Sequence, residues 1–130
     1  MSDTPNVALA RRLYDSKADP VVAKEIMSPD TVWDITPGFP YGGVYEGWDS
    51  VSNDFFARLM PLFATMYPVG DQFFADDDDH VFVLGHYHVE SKDGQPVDVR
   101  FIHLWTVRDG KLAKVQQAAD SQVLQHLLSA

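Results

Sequence analysis

Two stretches of alternating hydrophobic and other side chains, residues 80–91 and 96–107, dominate the pattern along this chain. Alternation with period two, bounded by turn residues, predicts strands. Asp93-Gly94 and Asp109-Gly110 interrupt the apolar runs, and each pair is a short-range signal for an antiparallel hairpin. Residues 112–120 continue as a third strand. Successive strand side chains point to opposite faces, so Phe82, Leu84, His86 and His88 fall together, with Val81, Val83, Gly85, Tyr87 and Val89 behind them. The second strand sends Val97, Val99, Phe101, His103 and Trp105 one way and Asp98, Arg100, Ile102, Leu104 and Thr106 the other. The third groups Leu112, Lys114, Gln116, Ala118 and Asp120 against Ala113, Val115, Gln117 and Ala119. A sheet with apolar residues on both faces needs two covers. Helices are predicted over one face and a second copy of the chain over the other.

The first half of the chain supplies those helices. Thr4-Pro5 marks a helix start, and Val7, Ala10, Leu13 and Tyr14 recur at helical spacing up to about Lys17. Asp19-Pro20 repeats the pattern for a short second helix with Val21, Val22, Ile26 and Met27, which Pro29 ends. Residues 31–36 alternate as a strand, placing Val32, Asp34 and Thr36 on one face and Trp33 and Ile35 on the other. Residues 39–47, with Pro40 and three glycines, read as a loop or very short strand over a pocket mouth. Asp49 or Ser50 is positioned to cap a long helix near residues 49–65, whose apolar face carries Val51, Phe55, Leu59, Leu62, Phe63 and Met66, and Pro61 is expected to kink that helix or break it near Met60. A strand over residues 67–75 leads into the aspartate run 76–79, read as a solvated turn. Ser121 is placed to cap a C-terminal helix carrying Val123, Leu124, Leu127 and Leu128. This order predicts an α+β fold: a cone-shaped, strongly curved, mainly antiparallel sheet wrapped around the long helix, in a single domain over 1–130.

Charge and composition then narrow the partners. Ten basic against nineteen acidic residues give a net charge of -9, which disfavours a phosphate backbone and an anionic membrane surface. Neither a leader peptide nor an apolar run long enough to span a bilayer is apparent, so a cytoplasmic protein is expected. With no cysteine there is no thiolate chemistry and no cysteine-held metal. Phosphate loops, nucleotide fingerprints and serine-nucleophile elbows are also missing, which leaves chemistry without a cofactor.

Several residues carry a family resemblance. Thr31-Val-Trp-Asp-Ile, the glycine loop from Gly43 to Gly47, Asp93-Gly-Gln-Pro, His103-Leu-Trp-Thr-Val-Arg-Asp-Gly-Lys and Asp120 together resemble the nuclear transport factor 2-like superfamily, in its SnoaL-like polyketide cyclase and ketosteroid isomerase-related branches. The resemblance spans nearly the whole chain. It implies a small cofactor-independent enzyme that uses carboxylate acid/base chemistry on an apolar carbonyl or epoxide-like metabolite, or else a non-catalytic binding domain with the same pocket. Asp34 matches the isomerase's general base, Asp120 the cyclase's acid/base aspartate, and His103 the acid that donates to a developing oxyanion. The isomerase's partner tyrosine is not matched, since Arg11 or Arg12 falls there, although Tyr14 is close on the same helix. Strand phase sends Arg100 to the face opposite His103, unlike the aspartate-arginine-aspartate set of related epoxide hydrolases.

Desolvation on an apolar strand face would raise the pKa of Asp34 towards working pH, while its plainer role is to cap the Pro37-Gly38 turn. A buried His103 is as readily structural as catalytic. Pairing of the strands in register is expected to set His103 beside His86 and His88, and Asp34, His86, His103 and Asp120 around one cavity. Such a histidine set could hold a metal, although paired histidines on one strand more often form a polar patch and no motif demands a metal here. Tyr14, Trp33, Tyr45, Phe55, Leu84, Phe101, Trp105 and Gln116 complete the expected pocket, in a homodimer that takes an apolar small molecule.

Overall fold

The computed structural model describes residues 4–76 and 78–129. Residues 1–3, Asp77 and Ala130 lie outside the described residues, and with them the start of the N-terminal reading and one member of the aspartate run. Helix α1 (Pro5–Asp15) begins where Thr4 accepts a hydrogen bond from the Val7 N–H, and it buries Val7, Ala10, Leu13 and Tyr14 on one stripe. Helix α2 (Pro20–Ile26) is capped by Asp19, whose side chain accepts from the Val21 and Val22 N–H groups. In both, proline occupies the first turn, where an amide proton has no helical partner.

Six strands follow: β1 (Met27–Ile35), β2 (Gly43–Glu46), β3 (Thr65–Ala75), β4 (His80–Glu90), β5 (Pro96–Arg108) and β6 (Lys111–Ala119). They form one open sheet in the order β2-β1-β6-β5-β4-β3, parallel at β1–β6 and antiparallel elsewhere. Both predicted hairpins are present. Asp109 and Gly110 have φ of 54° and 73°, the left-handed pair that a tight two-residue turn requires. Irregularities interrupt the ladders near Gly70, near Thr106 and between Met27 and Val32. Each one bends a strand and adds twist, which curls the sheet over its helices. Gly85 pairs with Gly70, next to one of these irregularities. A Cβ there would lie 2.0 Å from the Val69 carbonyl oxygen, so no larger residue fits without backbone movement.

The long helix departs from expectation. Residues 48–62 are helical throughout but change pitch, from α (Trp48–Ser50) to π (Val51–Phe56), back to α (Ala57–Leu59) and finally to a 3-10 turn (Met60–Leu62). The Ala57 N–H reaches back to the Ser52 carbonyl, one residue further than in an α-helix. The wide turn carries Phe55 and Phe56, both of which pack on Trp33. The α-helical pitch ends at Leu59 and Pro61 lies in the closing 3-10 turn, the expected break near Met60, while neither Asp49 nor Ser50 caps the helix start with its side chain.

This composite helix, α1 and α2 cover one face of the sheet. The core between them holds Trp105, Phe101, Ile26, Ile35 and Leu112, all essentially buried. The other face leaves Phe82, Leu84 and Ile102 exposed. A C-terminal helix (Ser121–Ser129) closes the chain, with Asp120, not Ser121, accepting from the Val123 N–H. Among the described residues no helix is long and apolar enough to cross a membrane.

Candidate functional site

Between the covered sheet face and the helices lies a cavity of about 310 Å³. Its volume falls at the small end of ligand sites. Aromatic and aliphatic side chains make most of the wall: Trp33 and Ile35 from β1, Phe39, Trp48, Phe55, Phe56 and Leu59 from the loop and composite helix, Met66 from β3 and Trp105 from β5. Lys17, Asp19 and Pro20, from the α1–α2 connection, also line it, and all three are exposed or partly so. Three buried polar residues, Tyr87, His103 and Gln117, supply its polar end.

Those three belong to a continuous hydrogen-bonded row. His103 Nδ1 lies 2.6 Å from the Tyr14 hydroxyl and its Nε2 lies 2.7 Å from the Tyr87 hydroxyl. Trp105 Nε1–H donates to the Tyr14 oxygen at 2.7 Å, and the Gln117 amide donates to the Tyr87 oxygen at 2.6 Å. The Thr36 N–H donates to Gln117 Oε1 at 3.2 Å, which fixes the amide with its NH2 towards Tyr87. Phe101 stacks on the imidazole with ring centroids 3.8 Å apart and planes 7° from parallel. Burial drives the His103 pKa from 6.5 down to about 3, so the imidazole is neutral at physiological pH. Burial also pushes both tyrosines above their ordinary value, against the lowering effect of the Trp105 and Gln117 hydrogen bonds, so they stay protonated. The site therefore offers neutral donors within a largely apolar cavity.

The structure separates the residues that the sequence reading had brought together. His103, Trp33, Phe55 and Trp105 line the cavity as expected. Tyr14 does reach the site from α1, but from behind His103, and Phe101 is buried against the same ring. Tyr45 packs on Phe55, with ring centroids 5.1 Å apart, without lining the cavity. His86, His88, Leu84 and Gln116 sit on the opposite face of the sheet. The β4–β5 register pairs Val83 with His103 and His86 with Arg100, so His86 cannot share a face with His103. His86 instead meets Asp71 at 2.9 Å, and His88 lies near Glu90 and Asp98.

Asp34 is paired with Val44 and Gln116, which puts it on that outer face as well, half-buried and away from the cavity. Asp120 is exposed and starts the C-terminal helix. The expected convergence of Asp34, His86, His103 and Asp120 does not occur, and the three-histidine arrangement is divided by the sheet. Among the described residues no group of three or more His, Asp or Glu side chains is arranged to hold a metal.

Two polar members of the site, Tyr87 and Gln117, escaped the sequence reading. Near Thr106 the β5–β6 register slips, so that Thr106 pairs with Lys114 and Val107 with Leu112. The slip lets Leu112, Val115 and Gln117 all face inward, although strict alternation from Leu112 selects Gln116. A visible signal was the pattern Lys114-Val115-Gln116, whose one apolar residue marks the inward phase.

Residues 10–115 match the family model of the SnoaL-like domain. The chain belongs to the SnoaL-like domain family. No curated protein matches this SnoaL-like domain in sequence. Solved structures do. TerC, solved with polyporic acid, is 25% identical with a TM-score of 0.87, over 98% of this chain and 100% of TerC. A nuclear transport factor 2-like protein of unknown function from Burkholderia pseudomallei is 22% identical with a TM-score of 0.87, over 98% of this chain and 100% of that one. A protein from Jannaschia assigned to the SnoaL-like polyketide cyclases is 24% identical with a TM-score of 0.79, over 100% and 99% of the two chains. The last two likenesses establish the nuclear transport factor 2-like fold and nothing finer.

Proposed function

We propose that this SnoaL-like domain is a small enzyme of the cyclase/isomerase type that acts on an apolar, carbonyl-bearing ring compound without a cofactor. The observation that carries this reading is the neutral, buried His103 held between Tyr14 and Tyr87 at the polar end of an aromatic cavity. Enolisation and ring closure at a carbonyl both build negative charge on its oxygen. Donors fixed in a dry site stabilise that charge without having to reorganise. The co-crystallisation of TerC with polyporic acid supports an aromatic, oxygen-bearing ligand for this chain. Neither Asp34 nor Asp120 lines the cavity, so the carboxylate acid/base route expected from the family gives way to oxyanion stabilisation.

One observation favours a second reading, a binding domain without turnover. Among the cavity-lining residues the single carboxylate is Asp19, and it is engaged in capping α2. The experiment that decides is a panel of cyclic ketones, lactones, epoxides and polyporic acid, assayed for turnover by mass spectrometry and for binding by calorimetry. We expect turnover that falls about a hundredfold in His103→Leu. Binding with no turnover selects the binding domain, and binding of nothing refutes both readings.

For assembly we propose a homodimer through the outer sheet face, where Phe82, Leu84 and Ile102 stay exposed on strands β4 and β5. Apolar residues grouped in this way are the usual mark of an association surface. Light scattering should give a dimer for the parent chain and a monomer for the Leu84→Lys/Ile102→Lys variant. A parent chain that is monomeric at all concentrations sinks the idea.

A further inference from the structure

The row Trp105–Tyr14–His103–Tyr87–Gln117 is fixed in direction at both ends. Trp105 Nε1–H can only donate, so the Tyr14 oxygen accepts from it. Gln117 is locked with its amide NH2 towards Tyr87 by the Thr36 N–H, so the Tyr87 oxygen accepts as well. A neutral imidazole has one N–H and one lone pair, and therefore donates to one tyrosine and accepts from the other. The tyrosine that accepts from His103 is left with its own hydroxyl proton unspent. If Nδ1 carries the proton, the spare one belongs to Tyr14, which does not line the cavity and meets no further acceptor among the described residues. If Nε2 carries it, the spare proton belongs to Tyr87, which does line the cavity. An unpaired buried hydroxyl disfavours the first arrangement by a factor of about ten or more.

We propose that His103 is held as the Nε2–H tautomer, that it acts as a positioning residue, and that the Tyr87 hydroxyl is the group that donates to the ligand, so that the cavity selects ring compounds presenting an acceptor oxygen. Trp33, a second lining residue, keeps a buried Nε1–H that no acceptor meets. The unspent polar atoms at the buried end of the wall are thus donors, which matches a ketone, quinone or enolate oxygen; the one lining carboxylate, Asp19, lies at the exposed α1–α2 connection and caps α2. This proposal rests on the cavity reading given above and names the ligand class and the donor for it.

The test has two arms, both on the full chain. In the first, nitrogen NMR of the parent protein near neutral pH should place the one-bond N–H coupling of His103 on Nε2; a proton on Nδ1 overturns the proposal. This arm needs no variant, so it stands even if substitutions unfold the protein. In the second, calorimetry compares 2-acetonaphthone with 2-isopropenylnaphthalene, in which a methylene group replaces the carbonyl oxygen. The parent should bind the ketone about three- to tenfold more tightly than the hydrocarbon, and Tyr87→Phe should erase that preference while still binding the hydrocarbon. The bound ketone's carbonyl stretch should also shift to lower frequency in the parent. Equal binding of the two probes by the parent, or a ketone preference that survives in Tyr87→Phe, overturns the Tyr87 assignment and leaves the apolar cavity intact. Binding of neither probe refutes the cavity reading itself, and the ligand assignment with it.

Discussion

Replacing Tyr14 by Phe removes one oxygen and leaves the ring where it packs, stacked on Phe101 and edge-on to Phe73. That oxygen serves two buried partners, Trp105 Nε1 at 2.7 Å and His103 Nδ1 at 2.6 Å. Trp105 is 1% exposed and His103 6%, so water cannot easily replace what is lost. Each buried polar group left without a partner costs about 1–3 kcal/mol, and the variant no longer has to desolvate a hydroxyl, so a net loss of about 2–4 kcal/mol is expected. Small proteins lose about 1–3 kcal/mol of stability per molar urea, so the unfolding midpoint should fall by roughly 1–2 M. A double-mutant cycle with Trp105→Phe isolates one bond and should return a coupling of about 1 kcal/mol or more. A Tyr14→Phe loss below about 0.5 kcal/mol would show that the row is wet, and would refute the reasoning that makes its direction matter.

Three further outcomes follow from the same geometry. Burial holds His103 near 3 when folded, against 6.5 when exposed, so the unfolded chain takes up the proton first as the pH falls. The stability linked to neutral His103 is complete above pH 6.5 and is lost on acidification towards pH 3; it amounts to a few kcal/mol, and a His103→Gln stability curve that runs parallel to the parent's would contradict this. Asp34→Asn and Asp120→Asn should each leave affinity for an aromatic ketone within about twofold, because neither side chain lines the cavity; calorimetry showing a tenfold loss in either would reopen the carboxylate route. Gly85→Ala should destabilise by about 3 kcal/mol or more, since the added Cβ meets the Val69 backbone oxygen, and thermal unfolding within a few degrees of the parent would disprove the close approach.

The sequence by itself determined the elements and their order. Alternation and turn chemistry act over a few residues, so the β4–β5 and β5–β6 hairpins, the proline-led starts of α1 and α2, and the two faces of β1, β4 and β5 were all legible in it. The family resemblance joined these into the right fold class. Tertiary structure decided which faces meet. Residues 91–95 form a five-residue connection between β4 and β5, and this makes odd-numbered residues pair with odd. A connection one residue shorter would have paired His103 with the even-numbered face that carries His86. The slip near Thr106 likewise exchanged Gln116 for Gln117, and the parallel pairing of β1 with β6 turned Asp34 outward. Register is set by loop closure and bulges, which depend on the balance of many contacts across the sheet, whereas alternation is a property of one strand alone. The residues that share the cavity were therefore fixed only once the strands were paired.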